Sequence, residues 1–166
     1  MNESYVECMV KRKASPFAGV IKTVVYILAG LSLFLVATGY YVAIVTLLIF
    51  GLIAFLVVPN LDLEFEYLYV DRELSIDKIM NKQKRKKVKN IELAKMEFMC
   101  PLNSHELDSY RAKKTNMLDF SSKAPEAKAY VIVYRDQSKE ELICFEPNEE
   151  MIAVIKSVYP RKVIEY

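Results

Sequence analysis

Charged side chains are absent from the chain between Lys22 and Asp62 and frequent everywhere else. An ionised group in hydrocarbon is costly, so an apolar run this long is the mark of a bilayer segment rather than of a soluble core. One straight helix drawn through it would be about twice the hydrocarbon thickness. Two spans are therefore predicted, Phe17 to Ala37 and Tyr41 to Val58, with the turn at residues 38–40. Gly39 relaxes the backbone there, and Tyr40 and Tyr41 suit the boundary between membrane and water. Pro16 fits a helix start and Pro59 a helix end, because proline lacks the amide proton that helix interiors use. Lys22 lies one turn inside the first span, where its stem reaches back toward the headgroups. Gly30 and Gly51, with Ala29, Ser32, Ala43 and Ala54, offer small surfaces for helix contact.

After the spans the period changes. Leu61, Leu63, Phe65, Tyr67 and Tyr69 alternate with Asp62, Glu64 and Glu66, the pattern of a half-buried strand. Asp71-Arg72-Glu73 interrupts it, and extended runs resume at Leu74 to Met80 and Val88 to Leu93. Further short runs, rich in β-branched and aromatic residues, occupy Met96 to Cys100, Met117 to Phe120, Ala129 to Tyr134 and Glu141 to Phe145. Turn residues bound them, among them Pro101-Leu102-Asn103-Ser104 and Arg135-Asp136-Gln137-Ser138. Residues Ser104 to Lys114 have room for one short helix. Met151, Ile152, Ile155, Val158 and Tyr159 then recur at helical spacing, opened by Asn148 as N-cap with Glu149 and Glu150 at the positive end of the dipole. The soluble part is thus a meander of about seven antiparallel strands closed by one C-terminal helix, a mainly β (α+β) roll or partly open barrel.

With 53% apolar and 27% charged residues the average composition is that of an ordinary globular chain, and only the partition reveals the hairpin. A cleaved signal peptide is the rival reading of the first span, since Lys11, Arg12 and Lys13 precede an apolar core. The second span and the lack of a clear small-x-small site speak against it. Lys11, Arg12, Lys13 and Lys22 outweigh Glu3 and Glu7 before the hairpin while its turn is uncharged, so both termini are expected in the cytoplasm. Three parts follow: a cytoplasmic segment at 1–16, the two-helix transmembrane hairpin at 17–59, and a cytoplasmic domain at 60–166.

Tyr67-Leu68-Tyr69-Val70-Asp71-Arg72-Glu73-Leu74-Ser75-Ile76, followed by Lys87-Val88-Lys89-Asn90-Ile91-Glu92-Leu93, resembles the opening hairpin of bacterial PH-like membrane proteins, in which a two-helix membrane hairpin often precedes the barrel. The chain as a whole resembles a family of small two-pass proteins of unknown function from Gram-positive bacteria. The likeness runs through Tyr5-Val6-Glu7, Val10-Lys11-Arg12-Lys13, Phe65-Glu66-Tyr67, Phe145-Glu146-Pro147-Asn148 and Pro160-Arg161-Lys162-Val163. It implies a PH-like architecture and no activity.

Lys82, Lys84, Arg85, Lys86, Lys87 and Lys89 place six cations within eight positions on one hairpin. Near a membrane anchor such a run suits anionic phospholipid headgroups or an acidic partner; a solvated turn or a topology signal is the plain alternative. Basic and acidic residues balance from Asn60 onward, which argues against nucleic acid. Cys8, Cys100 and Cys144 form no metal-ligand spacing with His105, the single histidine, and free thiols are expected, with an oxidised Cys100–Cys144 pair as the alternative. Cys100, Ser104 and His105 are poorly spaced for nucleophile and base, and the soluble part holds no glycine for an oxyanion or phosphate loop. Asp62, Glu64 and Glu66 read as a solvated face rather than a metal site. No catalytic residue, metal or cofactor is expected. The leading expectation is a non-enzymatic, membrane-anchored scaffold or sensor in the cell membrane that binds protein partners, a further copy of itself, or anionic lipid. An accessory subunit of a larger membrane complex is the second, and an enzyme the third.

Overall fold

A computed structural model describes residues 5–136 and 139–165. Glu3 and the Gln137-Ser138 part of one expected turn lie outside the described residues. The chain forms two compact units, one made of residues 14–63 with 80–84, the other of residues 1–13, 64–79 and 85–166.

The first unit is the apolar hairpin. Helix α1 runs Ala18–Ala37 and α2 runs Ala43–Leu56, followed by a 3-10 turn at Val58–Leu61. Both helical segments, counting the second through Leu61, are long and apolar enough to cross a membrane, and their apolar windows are only 11% and 6% buried. A helix that is apolar all round and uncovered has the surface of a lipid-facing helix rather than of a soluble core. Thr38 ends α1 in the arrangement that glycine favours: Gly39, at φ +96°, donates to Val36 O at 3.1 Å and Tyr40 donates to Leu35 O at 3.0 Å. The turn is therefore fixed by Gly39. Helix contact differs from the expected glycine surfaces, since a Cβ at Gly30 or Gly51 would meet nothing within 4 Å. Burial on α1 falls on Ser32, which was among the expected small residues, and on Ala18 and Val25, one face at seven-residue spacing. There Thr46 Oγ1 donates across the pair to Ser32 Oγ at 3.1 Å, and Ser32 donates to Leu28 O at 2.8 Å.

The second unit holds two four-stranded sheets. Strands β1 (Val6–Lys11), β2 (Leu63–Val70), β3 (Glu73–Met80) and β4 (Lys84–Glu92) are neighbours in that order. The other sheet has the order β5-β7-β8-β6, with β5 at Met96–Pro101, β6 at Met117–Asp119, β7 at Tyr130–Asp136 and β8 at Lys139–Phe145. All seven strands expected after the hairpin are present. The eighth, β1, lies before the hairpin, in a segment too short to show a period of its own, and pairs antiparallel with β2. One pair departs from the antiparallel plan: β6 runs parallel to β8, because the chain passes through helix α3 (Asp108–Ala112) and its preceding 3-10 turn before returning.

Phe65, Tyr67, Tyr69, Leu74 and Ile76 meet Ile132, Ile143 and Phe145 in the main core, sealed by Met151 and Ile155 of α4 (Glu149–Val158). Asn148 caps α4 as expected, its side chain accepting from Met151 N at 2.9 Å. Val131, Val133, Leu142 and Cys144 point the other way, under Leu107 and Tyr110. That second layer explains why β7 is a continuous apolar run rather than an alternating one. The Asp71-Arg72 and Asn81-Lys82 corners take positive φ at both residues, the turn that matches the twist of paired strands.

Candidate functional site

The basic run forms the β3–β4 corner and most of β4. At the corner, Gln83 donates to Met80 O at 3.2 Å, and Asn81 N–H donates to Asp62 O at 2.9 Å, just after the 3-10 turn that ends the second apolar segment. Lys84 Nζ stands 4.6 Å from the ring centroid of Phe55 in the last turn of α2. These two contacts tie the tip of the basic corner to the end of the apolar helix.

Beyond Lys84 the cations divide. Lys86 and Lys87 are exposed, as is Lys82 at the corner, and none has a carboxylate partner among the described residues. Lys89 is held by Glu141 and lies 5.8 Å from the Tyr134 ring, so it fastens β4 to the second sheet. Arg85 is paired with Glu66, and its Nε lies 3.9 Å from Asp77 Oδ2. Of the six expected contact residues, Lys82, Lys84, Lys86 and Lys87 present charge outward, Arg85 is half committed, and Lys89 is a structural tie.

Glu66 corrects the reading of a solvated acidic row: it is 4% exposed, while Arg85 above it is 58% exposed. Glu7 of β1 lies within hydrogen-bonding reach of Glu66 and accepts from Tyr5 Oη at 2.6 Å. Burial pushes the Glu66 carboxyl up, Arg85 opposes this, and Glu7 and Asp77 add to the rise. Glu7, which accepts from Tyr5, is held below the usual range chiefly by that hydrogen bond, with neighbouring Glu66 and Arg85 adding to the fall. Asp77 Oδ1 is buried without a hydrogen-bond partner. Sequence alternation put Glu66 on the outer face and said nothing of its cover, which comes from β1 and β4.

The other candidate chemistry is dispersed. Cys100 is buried in the second layer, its thiol pushed up to about 11 chiefly by burial, whereas His105 is fully exposed with Nδ1 3.3 Å from Asp108 Oδ2. A nucleophile needs a low thiol pKa beside an oriented base, and neither condition holds at Cys100. Among the described residues no three His, Cys, Asp or Glu side chains are grouped to hold a metal ion. A cleft of about 290 Å³ beside the start of α4 carries Lys128, Glu149 and Glu165 on its rim, so no single charge dominates it.

Two stacked sheets closed by a C-terminal helix, with a basic corner between the third and fourth strands, define a protein of the pleckstrin-homology-like class. The chain belongs to the bacterial PH-like domain family DUF6106, whose family model matches residues 2–165. No curated protein and no solved structure matches the chain.

Proposed function

We infer that this protein crosses the cell membrane twice through α1 and α2, keeps both termini in the cytoplasm, and uses its PH-like domain as a non-catalytic scaffold or sensor that engages anionic headgroups of the inner leaflet. The observation that carries this reading is the tie between the basic corner and α2. With α2 inserted, Phe55 lies at its membrane-exit end, and Lys84 on its ring stands at headgroup depth together with neighbouring Lys82. Orientation rests on Lys11, Arg12, Lys13 and Lys22 flanking the hairpin against an uncharged turn. PH-like folds generally carry binding rather than chemistry, and the elevated, buried thiol of Cys100 agrees with that.

The test uses the full chain extracted in mild detergent from a membrane containing anionic lipid. Retained anionic phospholipid per protein is measured for the parent and for a variant with Lys82, Lys84, Lys86 and Lys87 changed to Glu. Each cation near the surface contributes on the order of 1 kcal/mol, so retention is expected to fall severalfold. Equal retention, with a stoichiometric protein partner in the same extract, would replace this reading by that of an accessory subunit of a membrane complex. Cysteine labelling at position 40 from outside, and near the C-terminus only after permeabilisation, checks the orientation.

A further inference from the structure

We propose that Glu66, Glu7 and Asp77 form a proton-operated latch on Arg85, so that acidification frees its guanidinium for the phosphodiester of an anionic phospholipid. The proposal rests on the headgroup reading above and adds a regulation of that same surface. Carboxyl groups from β2 and β3 pair with one guanidinium from β4, and Glu7 of β1 lies beside the first of them. Two carboxyl groups in hydrogen-bonding reach, as Glu7 and Glu66 are, share a stable contact only with a proton between them. The other groups on this face include Tyr5, which donates to Glu7, Lys87 two residues along β4 from Arg85, and Glu64 two residues along β2, whose register partner on β1 is Lys11; Met9, opposite Glu66, is neutral.

The two protonation states differ in who holds Arg85. With Glu66 ionised, the buried carboxylate binds the guanidinium and cancels its charge. When Glu66 takes up a proton it turns its O–H to Glu7, Arg85 loses its closest counter-ion and keeps only the longer contact with Asp77 at 3.9 Å, and, already 58% exposed, it offers its donors outward. Desolvation raises the Glu66 carboxyl while Glu7 is held down, so Glu66 gains a proton before Glu7 as pH falls, at a pH above the ordinary glutamate value. Arg85 follows Lys84 directly in the chain, so the released charge adds to the cations of the basic corner.

The full chain, isotope-labelled in neutral detergent micelles, is titrated with dihexanoyl phosphatidylglycerol while the Arg85 side-chain N–H resonance and the Glu66 carboxyl carbon are followed. The phosphodiester stays ionised between about pH 7.5 and about pH 5.5, so any change in affinity belongs to the protein. Affinity is expected to tighten as Glu66 takes up its proton, by at most about fivefold, the effect of one added cation near an anionic headgroup. Glu66→Gln is expected to bind equally well at both values. Lipid binding that ignores pH, the same tightening in Glu66→Gln, or the same tightening toward dihexanoyl phosphatidylcholine overturns the latch and leaves headgroup binding standing. A Glu66 carboxyl that titrates at or below the ordinary range also overturns the latch. If no lipid binds at either pH while Glu66 titrates high, the headgroup reading fails and takes the coupling with it.

Discussion

Lys11 and Glu64 are register partners across β1 and β2, although the whole apolar hairpin lies between them in the chain. The hairpin is thus an insertion between two paired strands. In the proposed membrane orientation its two ends therefore leave the bilayer on one side, which permits an even number of crossings and is independent of the charge-based argument. It follows that the domain begins at β1. A fragment starting at Asn60 loses buried Val6, half-buried Cys8 and Val10, and the Arg12 contact with Asp119.

Replacing residues 14–62 by a short glycine-rich linker is expected to give a folded, water-soluble domain, whereas the fragment from Asn60 onward is expected to be several kcal/mol less stable. Burial of Val6 alone accounts for about 2 kcal/mol of the difference. Urea denaturation followed by circular dichroism measures both proteins, and equal midpoints would remove β1 from the domain.

The helix pair is expected to depend on Ser32 rather than on its glycines. Ser32→Leu overfills the buried contact and costs about 1–3 kcal/mol, while Ser32→Ala loses the hydrogen bond with Thr46 across the pair, about 0.6 kcal/mol, and the local one to Leu28 O. Gly30→Ala and Gly51→Ala enter open space and leave stability unchanged or slightly higher. Gly39→Ala, forced into positive φ, costs about 1 kcal/mol. Unfolding in mixed micelles ranks these variants, and a Gly30→Ala as damaging as Ser32→Leu would move the contact to the glycine.

Asp119 sets an acid dependence. Burial pushes its carboxyl up, but hydrogen bonds from Ser121 N and Oγ, with Arg12 and Lys123 each at 3.4 Å, outweigh burial and leave it below the usual range. A lowered folded value means the stabilisation is present above the ordinary aspartate value and is lost as pH falls through the lowered one. Asp119→Asn is expected to lose about 1–2 kcal/mol near neutrality, with the gap to the parent closing in strong acid. Denaturation midpoints across pH test this; a gap constant with pH would make the loss one of packing alone.

Cys100 and Cys144 flank Val131 on opposite sides of β7, two strand spacings or about 10 Å apart, too far for a disulfide. Burial is the main cause that pushes their thiols up to about 11 and about 12. Native protein treated with iodoacetamide is expected to be modified first, and slowly, at half-buried Cys8, with the other two reacting only on unfolding. Intact-mass analysis counts the adducts, and early modification of Cys100 would reopen its chemistry.

The helical hairpin, the strands after it, the short helix within Ser104 to Lys114 and the cap at Asn148 are legible in the residues because each depends on local pattern: exclusion of charge, alternation, turn chemistry, a single hydrogen bond to the next turn. The basic corner is legible for the same reason. The sequence does not reveal that Lys89 and Arg85 are claimed by Glu141 and Glu66, since those partners lie on other strands.

Linear pattern therefore determined which segments avoid water, which are extended, and where charge accumulates. Tertiary structure alone decided that Val6–Lys11 completes the first sheet from the far side of the hairpin, that β6 runs parallel to β8, and that Glu66 is buried beneath Arg85 beside Glu7. Each of these comes from pairing between strands distant in the chain, and the free energy of such contacts depends on neighbours in space, which no local window of residues contains.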